Sequence, residues 1–598
     1  MNKKQLRKKL ALMLANLKKK RPFYTEVEYL ESTGTQWIDT GIAGTSDLCV
    51  DFMVSTETAP NQACCGFIQQ ISGGYFRHHY SPDKVNAAYW IQMDASITPS
   101  LLVAWEQDKK YHIVIDPTTG NATINDTNYT FTPLTPGIDS GLNYYIFGRQ
   151  AFNGIIQKCP ARFYFFKFVR NGKIIGDFIP VLDWDMTPCM YDKVSGELFY
   201  NQGTGDFIAG RQIHPVEYLE STGKQYINTG IIGTNENMGI DVTWAFSNNN
   251  ASMCIFSSRS AQISNTLTLF WVKDSSNRMR FDGVGQPFFT EGVNASVSDD
   301  IFNFNYKSKT DAVATLTNKT TEHIQTLNIG KLETFSKNPL YLFASIDAAE
   351  VHSWIKMYGC KIYDGDVIIR DFVPMVDENG LGAMFDRVTH TIYDNAGSSD
   401  GFKYPPVELE YLESTGAPYI DTGIQPTDEY GYRIKNTYTR GGGEQCAIGC
   451  MNSGNRFVGV YTSGSANQLS GAWGSFVNFL PSYPWDTGDI LDVEVNYKNS
   501  RKMIVNGTEL KDISDIHISG TISNTLYLFA RHYDNNITKM NGKIYGVEIT
   551  NGQDVIAQFI PCYKDGQIGM WDKVNEVFYQ NLGTGSFIAS KIVEPEYE

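Results

Sequence analysis

Apolar and polar residues alternate with a period of two in many short stretches of the chain. Residues 302–306 read Phe-Asn-Phe-Asn-Tyr, and residues 111–115 and 491–497 follow the same rule. Successive side chains of a strand point to opposite faces of a sheet, so the alternation predicts strands with one buried face. More continuous apolar runs at 144–148, 340–344 and 526–530 predict core strands. Turn residues separate these stretches, and Asn506 with Gly507 predicts a hairpin turn.

A helical period appears in residues 3–20. Lysines and arginines cover much of this segment, and Pro22 ends it. Because so short a helix is marginal alone, we predict that residues 1–22 form a basic amphipathic helix that docks on a larger assembly. An anionic membrane surface, nucleic acid and a solubilising tail stay open as alternatives. The predicted docking face consists of Leu6, Leu10, Met13, Leu14 and Leu17.

One stretch occurs three times, at residues 27–41, 216–230 and 409–423, each time with Glu-Tyr-Leu-Glu-Ser-Thr-Gly. The tyrosines of this motif are 189 and 193 residues apart, which is a domain length and not a solenoid period. A second block closes each copy: Phe-Ile-Pro or Phe-Val-Pro, then an aromatic residue, Asp, Lys or Arg, and Val. We therefore predict three domains after the helix, with the boundaries 23–211, 212–404 and 405–598.

Composition supports an all-β class, because 13% of the residues are aromatic and 19% are charged, and a helical pattern is scarcely seen in the repeats. Domains of about 190 residues with many short strands predict two-sheet sandwiches. The net charge of −15 is uneven: nine basic and no acidic residues precede Pro22, which leaves 41 basic and 65 acidic residues elsewhere. So acidic a body argues against nucleic acid as the partner of the repeats.

Ten cysteines show no spacing typical of a disulfide or metal framework. We therefore expect free thiols and synthesis in a reducing compartment. Cys65, Cys254 and Cys446 fall at similar points of apolar strands, which predicts buried thiols that act as small apolar residues. Because apolar runs stay shorter than about 18 residues, we expect no membrane span.

The repeated motifs resemble a known family of domains. Their order is Tyr-Leu-Glu-Ser-Thr-Gly, a hairpin ending in Val-Asn-Gly, a strand such as Leu-Tyr-Leu-Phe-Ala, then Lys-Ile-Tyr, Phe-Ile-Pro and Tyr-Asp-Lys-Val. This set resembles the concanavalin A-like, laminin-G-like jelly-roll domain over residues 23–598. The variant is similar to tandem modules in proteins of gut bacteria and of the tailed phages that infect them. The resemblance implies lectin-like sandwiches that bind glycans or proteins, and in phages a fibre, decoration or adhesion protein.

Most of the residues that recur in all copies suggest architecture. We expect a turn at Gly34, Gly223 and Gly416, and a strand end at Pro180, Pro374 and Pro561. The aspartates Asp192, Asp386 and Asp572 could ligate an ion, but a hydrogen-bonded turn is the favoured interpretation. A structural hydrogen bond is also expected for Asp39, Asn228 and Asp421, because the middle copy carries an amide in place of a carboxylate.

An enzyme is suggested by one pattern, in which Glu26, Glu28 and Glu31 resemble the acidic strand of laminarinase-like glucanases. Retaining hydrolysis requires two carboxylates about 5 Å apart on one face. The second copy has Pro215 at the first acidic position, and a Ser-Thr-Gly turn follows the third. We therefore expect no catalytic residue and no enzyme, and a glycanase is the least favoured alternative.

Binding residues are expected where the copies differ and aromatic side chains occur, because sugar rings stack on aromatic faces. Core packing and exposed loops stay open as alternative roles for each of them. The predicted binding residues are His79, Tyr80, Trp90, Trp271, Arg280, Trp473, Tyr483, Trp485 and Arg531. Neighbouring candidates are Tyr75, Arg77, His78, Arg278, Arg456 and His532.

Together with these patterns, the resemblance implies a non-enzymatic, virion-associated fibre or decoration protein of a phage. Its expected partners are a capsid or tail protein at the helix and a glycan or protein of the host surface at the sandwiches, and it could form a homo-oligomer. No cofactor or metal site is expected, although calcium stays open as a ligand. A purely structural virion protein and a glycan-binding protein of the bacterial cell surface are the alternatives.

Overall fold

A computed structural model describes most of the chain beyond residue 23. The described residues form 56 strands, and none of them is helical. The predicted docking helix lies outside the described residues. The described ranges are 24–56, 64–71, 74–82, 86–94, 101–104, 106–125, 127–154, 156–183, 185–232, 236–259, 266–274, 277–282, 287–290, 300–307, 312–332, 338–345, 351–397, 401–427, 429–452, 456–463, 468–475, 483–496, 502–512, 522–533 and 536–593.

The first repeat contains nineteen strands and is followed directly by a twentieth. They are β1 (Tyr24–Val27), β2 (Leu30–Thr33), β3 (Ile38–Thr45), β4 (Cys49–Ser55), β5 (Cys65–Ile71), β6 (Gly74–Pro82), β7 (Asn86–Asp94), β8 (Leu101–Ala104), β9 (Tyr111–Asp116), β10 (Asn121–Ile124), β11 (Thr127–Thr130), β12 (Asp139–Ile146), β13 (Gly148–Ala151), β14 (Ile156–Lys158), β15 (Pro160–Arg170), β16 (Lys173–Asp183), β17 (Pro188–Asp192), β18 (Glu197–Phe199), β19 (Ile208–Ala209) and β20 (Gln212–Pro215).

The second repeat continues the same plan. Its strands are β21 (Leu219–Glu220), β22 (Ile227–Ile232), β23 (Met238–Phe246), β24 (Met253–Ser257), β25 (Thr268–Val272), β26 (Arg278–Phe281), β27 (Phe288–Phe289), β28 (Ile301–Lys307), β29 (Val313–Asn318), β30 (His323–Asn328), β31 (Pro339–Leu342), β32 (Ala344–Ser345), β33 (Val351–His352), β34 (Ile355–Asp364), β35 (Val367–Val376), β36 (Gly382–Asp386) and β37 (Thr391–Tyr393).

The third repeat completes the set. Its strands are β38 (Val407–Glu408), β39 (Leu412–Thr415), β40 (Ile420–Asp421), β41 (Tyr430–Tyr438), β42 (Gln445–Met451), β43 (Arg456–Ser463), β44 (Gln468–Ser475), β45 (Tyr483–Pro484), β46 (Leu491–Asn496), β47 (Lys502–Val505), β48 (Thr508–Asp512), β49 (Tyr527–Leu528), β50 (Ala530–Tyr533), β51 (Asn536–Lys539), β52 (Asn541–Asn551), β53 (Asp554–Lys564), β54 (Gln567–Asp572), β55 (Val577–Gln580) and β56 (Ile588–Ala589).

Each repeat contributes strands to a large sheet and to a smaller one. In the first repeat the large sheet includes β4, β9, β15 and β16, and the small sheet includes β3, β5, β6 and β12. The core lies between them, where Tyr144 of the small sheet is 5.5 Å from Phe166 of the large one, measured between ring centroids. In the second repeat Phe246 of the large sheet lies 5.1 Å from Trp271 of the small sheet. The predicted all-β class with two-sheet sandwiches is confirmed.

The described contacts divide the chain into two compact units. One unit holds residues 1–215, 221–377 and 383–398, and the other holds 216–220, 378–382 and 399–598. Within the first unit, the large sheets of the first two repeats join into one sheet of 21 described strands. The predicted boundaries of three domains stay a prediction.

The repeated prolines lie inside strands, so the predicted strand ends at Pro180, Pro374 and Pro561 are wrong. Pro180 pairs with Met190 in the middle of the contact between β16 and β17. On its other side β16 changes partner, from β15 at Phe178 to β1 at Val181. Proline has no N–H, and a change of partner is a point where the sheet needs none.

The apolar runs expected to be single core strands are interrupted at a phenylalanine. Phe147, Phe343 and Phe529 have φ values of 64°, 68° and 61°. A left-handed backbone is unusual for a bulky residue and ends one strand before the next begins. All three side chains are fully buried, so burial in the core offsets the local strain.

Two cysteines correct the expectation that all thiols are free. Cys64 and Cys159 form a disulfide, with their Cα atoms 4.7 Å apart. The three predicted buried thiols, Cys65, Cys254 and Cys446, are confirmed as buried and free. Burial raises the pKa of Cys65 and of Cys446 to about 12, so both stay protonated at neutral pH.

Candidate functional site

Each of the three glutamates in the acidic motif of the first repeat contacts a basic side chain. Glu26 Oε1 lies 2.8 Å from His390 Nε2, and Glu28 Oε1 lies 3.0 Å from Lys110 Nζ. The third acid, Glu31, accepts a hydrogen bond of 2.6 Å from an arginine of β15. A hydrolytic pair needs two carboxylates facing one reacting atom. Here each carboxylate faces a different basic side chain.

The repeated aspartates are turn residues, as the sequence favoured. Asp192 Oδ1 accepts the backbone N–H of Asp177 at 2.7 Å, and Asp386 accepts that of Asp371 at 2.8 Å. Asp572 is fully buried and repeats the bond to the strand before it. Their oxygens are used by backbone donors. Among the described residues no three His, Cys, Asp or Glu side chains come together as a metal site.

The structural hydrogen bond expected for Asp39, Asn228 and Asp421, near the end of the first repeated stretch, is present in all three repeats. Asp39 and Asp421 each accept the backbone N–H of the glycine two residues later at 2.9 Å, and Asn228 does so at 3.0 Å. The glycines Gly34, Gly223 and Gly416 have φ near +90° (94°, 90° and 92°), which confirms their turn position.

The predicted ligand-binding residues are spread over all repeats and are not gathered into one site. His79, Tyr80 and Trp271 are buried in the sandwiches, and Trp485 packs against Tyr438 with ring centroids 5.0 Å apart. Buried rings like these present no open face to a sugar. The binding role of these four residues stays a prediction.

The remaining predicted residues have mixed surroundings. Arg280 makes an ion pair with Asp282 at 2.6 Å, and Arg531 makes one with Glu444. Tyr483 is partly exposed. The other two predicted tryptophans are Trp90 in β7 and Trp473 in β44. The side chains of both lie outside the described part of the chain.

The neighbouring candidates are also placed apart from one another. The guanidinium of Arg77 lies 4.8 Å from the ring of Tyr75, and His78 is buried. His532 stacks on a tyrosine ring at 4.4 Å, and Arg278 pairs with an aspartate of its own loop at 2.9 Å. Arg456 begins β43, and its side chain lies outside the described residues. None of these contacts assembles a common site.

A pair of tyrosines recurs on the outer face of the large sheet, which is the face turned away from the core. In the first repeat Tyr29 and Tyr164 meet edge to face at 5.6 Å. In the third repeat Tyr411 and Tyr545 meet in the same way at 5.5 Å. A cation lies over a ring in both, and in the third repeat it is Lys543, 4.0 Å from the ring of Tyr411.

The residue that follows the second tyrosine differs between these two faces. It is Phe165 in the first repeat, where its side chain is buried with Tyr164 and Met53 on the outer face. It is Gly546 in the third repeat, and a Cβ built there would meet only one atom, a carbonyl oxygen 3.7 Å away. The missing side chain leaves a shallow groove of about 210 Å³ beside Tyr545. We take this groove as the candidate functional site.

The walls of the groove combine an aromatic ring with charged and amide groups. Arg433 and Asp492 face each other in two hydrogen bonds of 2.9 and 2.6 Å. The hydrogen bond from Arg433 lowers the pKa of Asp492, and the same bond raises the pKa of Arg433. Both groups therefore keep their charges at neutral pH. The lining residues are Arg433, Lys435, Asp492, Tyr545, Gly546, Val547, Glu548, Gln558, Phe559 and Ile560.

Sequence reasoning missed this groove although the signal was present. Aligning the repeats on the Tyr-Tyr pair places Phe165 opposite Gly359 and Gly546. A change from a large to an absent side chain at one position of a sheet face predicts an open space there. The predicted binding residues instead come mostly from positions with tryptophan, tyrosine and arginine. The groove is built from four neighbouring strands, β46, β41, β52 and β53.

Comparisons with known proteins give a likeness to laminin structures. No family model and no curated protein matches the chain. Domains LG4-5 of the mouse laminin alpha1 chain are similar at a TM-score of 0.25 and 9% identity, covering 64% of this chain and 95% of that one. The LG1-3 region of the laminin alpha2 chain is similar at a TM-score of 0.24 and 9% identity, covering 94% and 100%. The sandwich architecture of this chain rests on its own strand pairing. The described residues contain no helix long and apolar enough to span a membrane.

Proposed function

We propose that the chain is a non-enzymatic adhesion protein of a phage virion, which binds a glycan or a protein of the host surface through the groove beside Tyr545. The observation that carries the proposal is the exposed groove itself, in which one aromatic ring stands beside a fixed Arg433–Asp492 pair. Sugar rings stack on aromatic faces, while paired charged groups and amides bind hydroxyls. A shallow groove open to solvent suits a chain end or a surface residue of a large ligand.

Attachment to the virion is assigned to the N-terminal helix, whose basic and apolar faces follow from the sequence alone. Deletion of residues 1–21 should abolish incorporation of the protein into particles. The measurement is the amount of protein that co-sediments with particles assembled in its presence. Undiminished incorporation of the shortened chain would remove the anchor from the proposal and leave the groove unaffected.

The groove can be tested by filling it. Gly546→Phe restores the side chain that the first repeat carries, and the open surroundings of Gly546 leave room for it. We expect binding of the full chain to a glycan array and to bacterial surface polysaccharides to fall about tenfold or more. The matched control is Gly401→Phe, an exposed glycine whose Cβ would meet nothing within 4 Å. Both variants should unfold at the temperature of the wild type.

The outcomes separate three interpretations. Saturable binding that Gly546→Phe removes and Gly401→Phe preserves supports the groove. Binding that survives both variants moves the site elsewhere, and the same array read with calcium and with a chelator shows whether calcium takes part. Absence of binding in every condition favours the second candidate, a structural virion protein. That candidate draws support from the close joining of the first two repeats described next.

A further inference from the structure

The first two repeats are joined by a strand that belongs to both of them. In β20, Gln212 and Ile213 pair with β1 of the first repeat. The next two residues, His214 and Pro215, pair with Val376 and Met375 of β35 in the second repeat. We call β20 the junction strand. No unpaired linker residue separates the two sheets, and strand pairing passes from one repeat to the next within four residues.

A single side chain of the second repeat reaches across this junction. His390 Nε2 lies 2.8 Å from Glu26 Oε1, and His390 Nδ1 lies 3.0 Å from the backbone oxygen of Glu28. The segment of Glu26 and Glu28 also holds the junction strand. The N–H of Glu28 donates to the oxygen of Arg211, the residue directly before that strand, at 2.9 Å. The imidazole is buried, with 3% of its side chain exposed.

Both ring nitrogens of His390 therefore face oxygen acceptors. A neutral imidazole has one N–H and one acceptor nitrogen, so it can satisfy only one of these two oxygens. The doubly protonated ring donates to both. Burial works to raise the pKa of Glu26, but the hydrogen bond and charge of His390, with the charges of Lys193 and Arg387, hold that pKa below its ordinary value of 4.5. Glu26 is thus a carboxylate partner for an imidazolium.

The turn that holds His390 has a left-handed backbone in all three repeats. The φ of His390 is 50°, in the left-handed region that favours glycine. The equivalent turn of the first repeat has Gly196 at this place, and that of the third repeat has Glu576. Glu576 has the same left-handed backbone, with a φ of 55°, so His390 is distinguished by its contact with Glu26 of the neighbouring repeat and not by strain.

We propose that the junction of the first two repeats is a pH-sensitive coupling, in which the imidazolium of His390 bridges Glu26 and Glu28 and holds the junction strand in place. An imidazole changes its charge between pH 5 and 8. Loss of the proton removes one of the two donors and leaves one of the two oxygens without its bond to His390. The coupling therefore holds at mildly acidic pH, where the ring donates to both oxygens, and loosens as the pH rises.

The other charged groups near His390 affect the pH range over which the coupling holds. Lys193 and Arg387 act on the same carboxylate as positive charges, and Glu28 is paired with Lys110. Lys110 Nζ also lies 3.2 Å from Thr391 Oγ1, so it adds a second bridge between the two repeats, and burial lowers the pKa of this lysine. Because the pKa of Glu26 is lowered, its carboxylate persists until the pH falls below about 4.5. The coupling is therefore also lost in stronger acid.

Hydrogen exchange of the full chain tests the coupling directly. Peptides that contain residues 24–29 and 211–216 report the pairing of the junction strand. After correction for the intrinsic exchange rate at each pH, we expect their protection to fall roughly tenfold from pH 5.5 to pH 8.5. The third repeat supplies an internal control, because Glu410 N–H donates to Lys591 O at 3.1 Å in the same pairing without an imidazole. Its protection should not change.

The matched variant is His390→Gly, which copies the glycine of the first repeat and suits the positive φ. We expect this variant to fold and to show, at every pH, the low protection that the wild type shows at pH 8.5. Equal protection of the wild-type junction at both pH values would overturn the proposal. So would an unchanged pH response in His390→Gly, because the response would then come from another group.

Discussion

At the scale of single residues, the repeated aspartates show how one carboxylate can organise a turn. Asp572 accepts backbone N–H groups of Gln558 and Val574, each at 3.0 Å, and a side-chain N–H of Asn575 at 2.7 Å. The donors belong to two segments, so the carboxylate ties the turn after β54 to the middle of β53. Removing it takes away the acceptor that these three donors share.

Asp572→Ala should lower the free energy of unfolding by about 2–3 kcal/mol, because a buried charged acceptor of several hydrogen bonds is lost. The change is measured by urea unfolding of the full chain. Asp554→Ala is the control, since Asp554 lies exposed at the start of the neighbouring strand β53. A loss below 0.5 kcal/mol, about the usual effect of a surface substitution, would contradict the structural role.

The sequence predicted some of these single-residue features and not others. The Asp-Thr-Gly turns and the turn glycines follow from local preferences, because each is decided by bonds within a few residues. The left-handed Phe147, Phe343 and Phe529 could not be predicted, since a phenylalanine disfavours that backbone. Packing in the core, which involves residues far along the chain, decides those positions.

At the scale of elements, strands were predictable wherever the alternation was regular. The run 302–306 became part of β28 with Phe302, Phe304 and Tyr306 buried. The Asn506–Gly507 turn lies between β47 and β48, as expected, with φ values of 49° and 75°. The partner changes along β16 were not predictable, because a strand's pattern shows which face is buried and not which strand lies beside it.

The disulfide ties two distant elements of the first repeat. Cys64 precedes β5 and Cys159 precedes β15, at a sequence separation of 95. Closing so long a loop restricts the unfolded chain, so replacing both residues by alanine should lower the free energy of unfolding by about 2–4 kcal/mol. Urea unfolding without reductant measures this difference. Adding reductant should bring the wild type to the level of the variant, and identical curves without reductant would contradict the pairing.

At the scale of the whole molecule, the described chain forms two compact units although the sequence repeats three times. The first two repeats share one continuous sheet through β20, and sheets that share hydrogen bonds unfold together. Calorimetry of the full chain should therefore show two transitions, the larger one from the unit that contains both repeats. Three separate transitions would support the three independent domains expected from the sequence.

The motifs that all three repeats share predict neither the groove nor the junction. Both depend on positions at which the copies differ: Gly359 and Gly546 opposite Phe165, and His390 opposite Gly196 and Glu576. The shared motifs predict the sandwich, whereas the departures locate the candidate functions. Their effect depends on which strands are neighbours, and that information is not local in the chain.

The junction strand has an evolutionary consequence. A strand reverses the facing of its side chains at every residue, so one inserted or deleted residue in Gln212–Pro215 would turn the pairs with β1 and β35 to opposite faces. Loops of the same protein can drift in length, but this segment has to be inherited unchanged. We expect natural variants of this protein to differ in length in loops and not in these four residues.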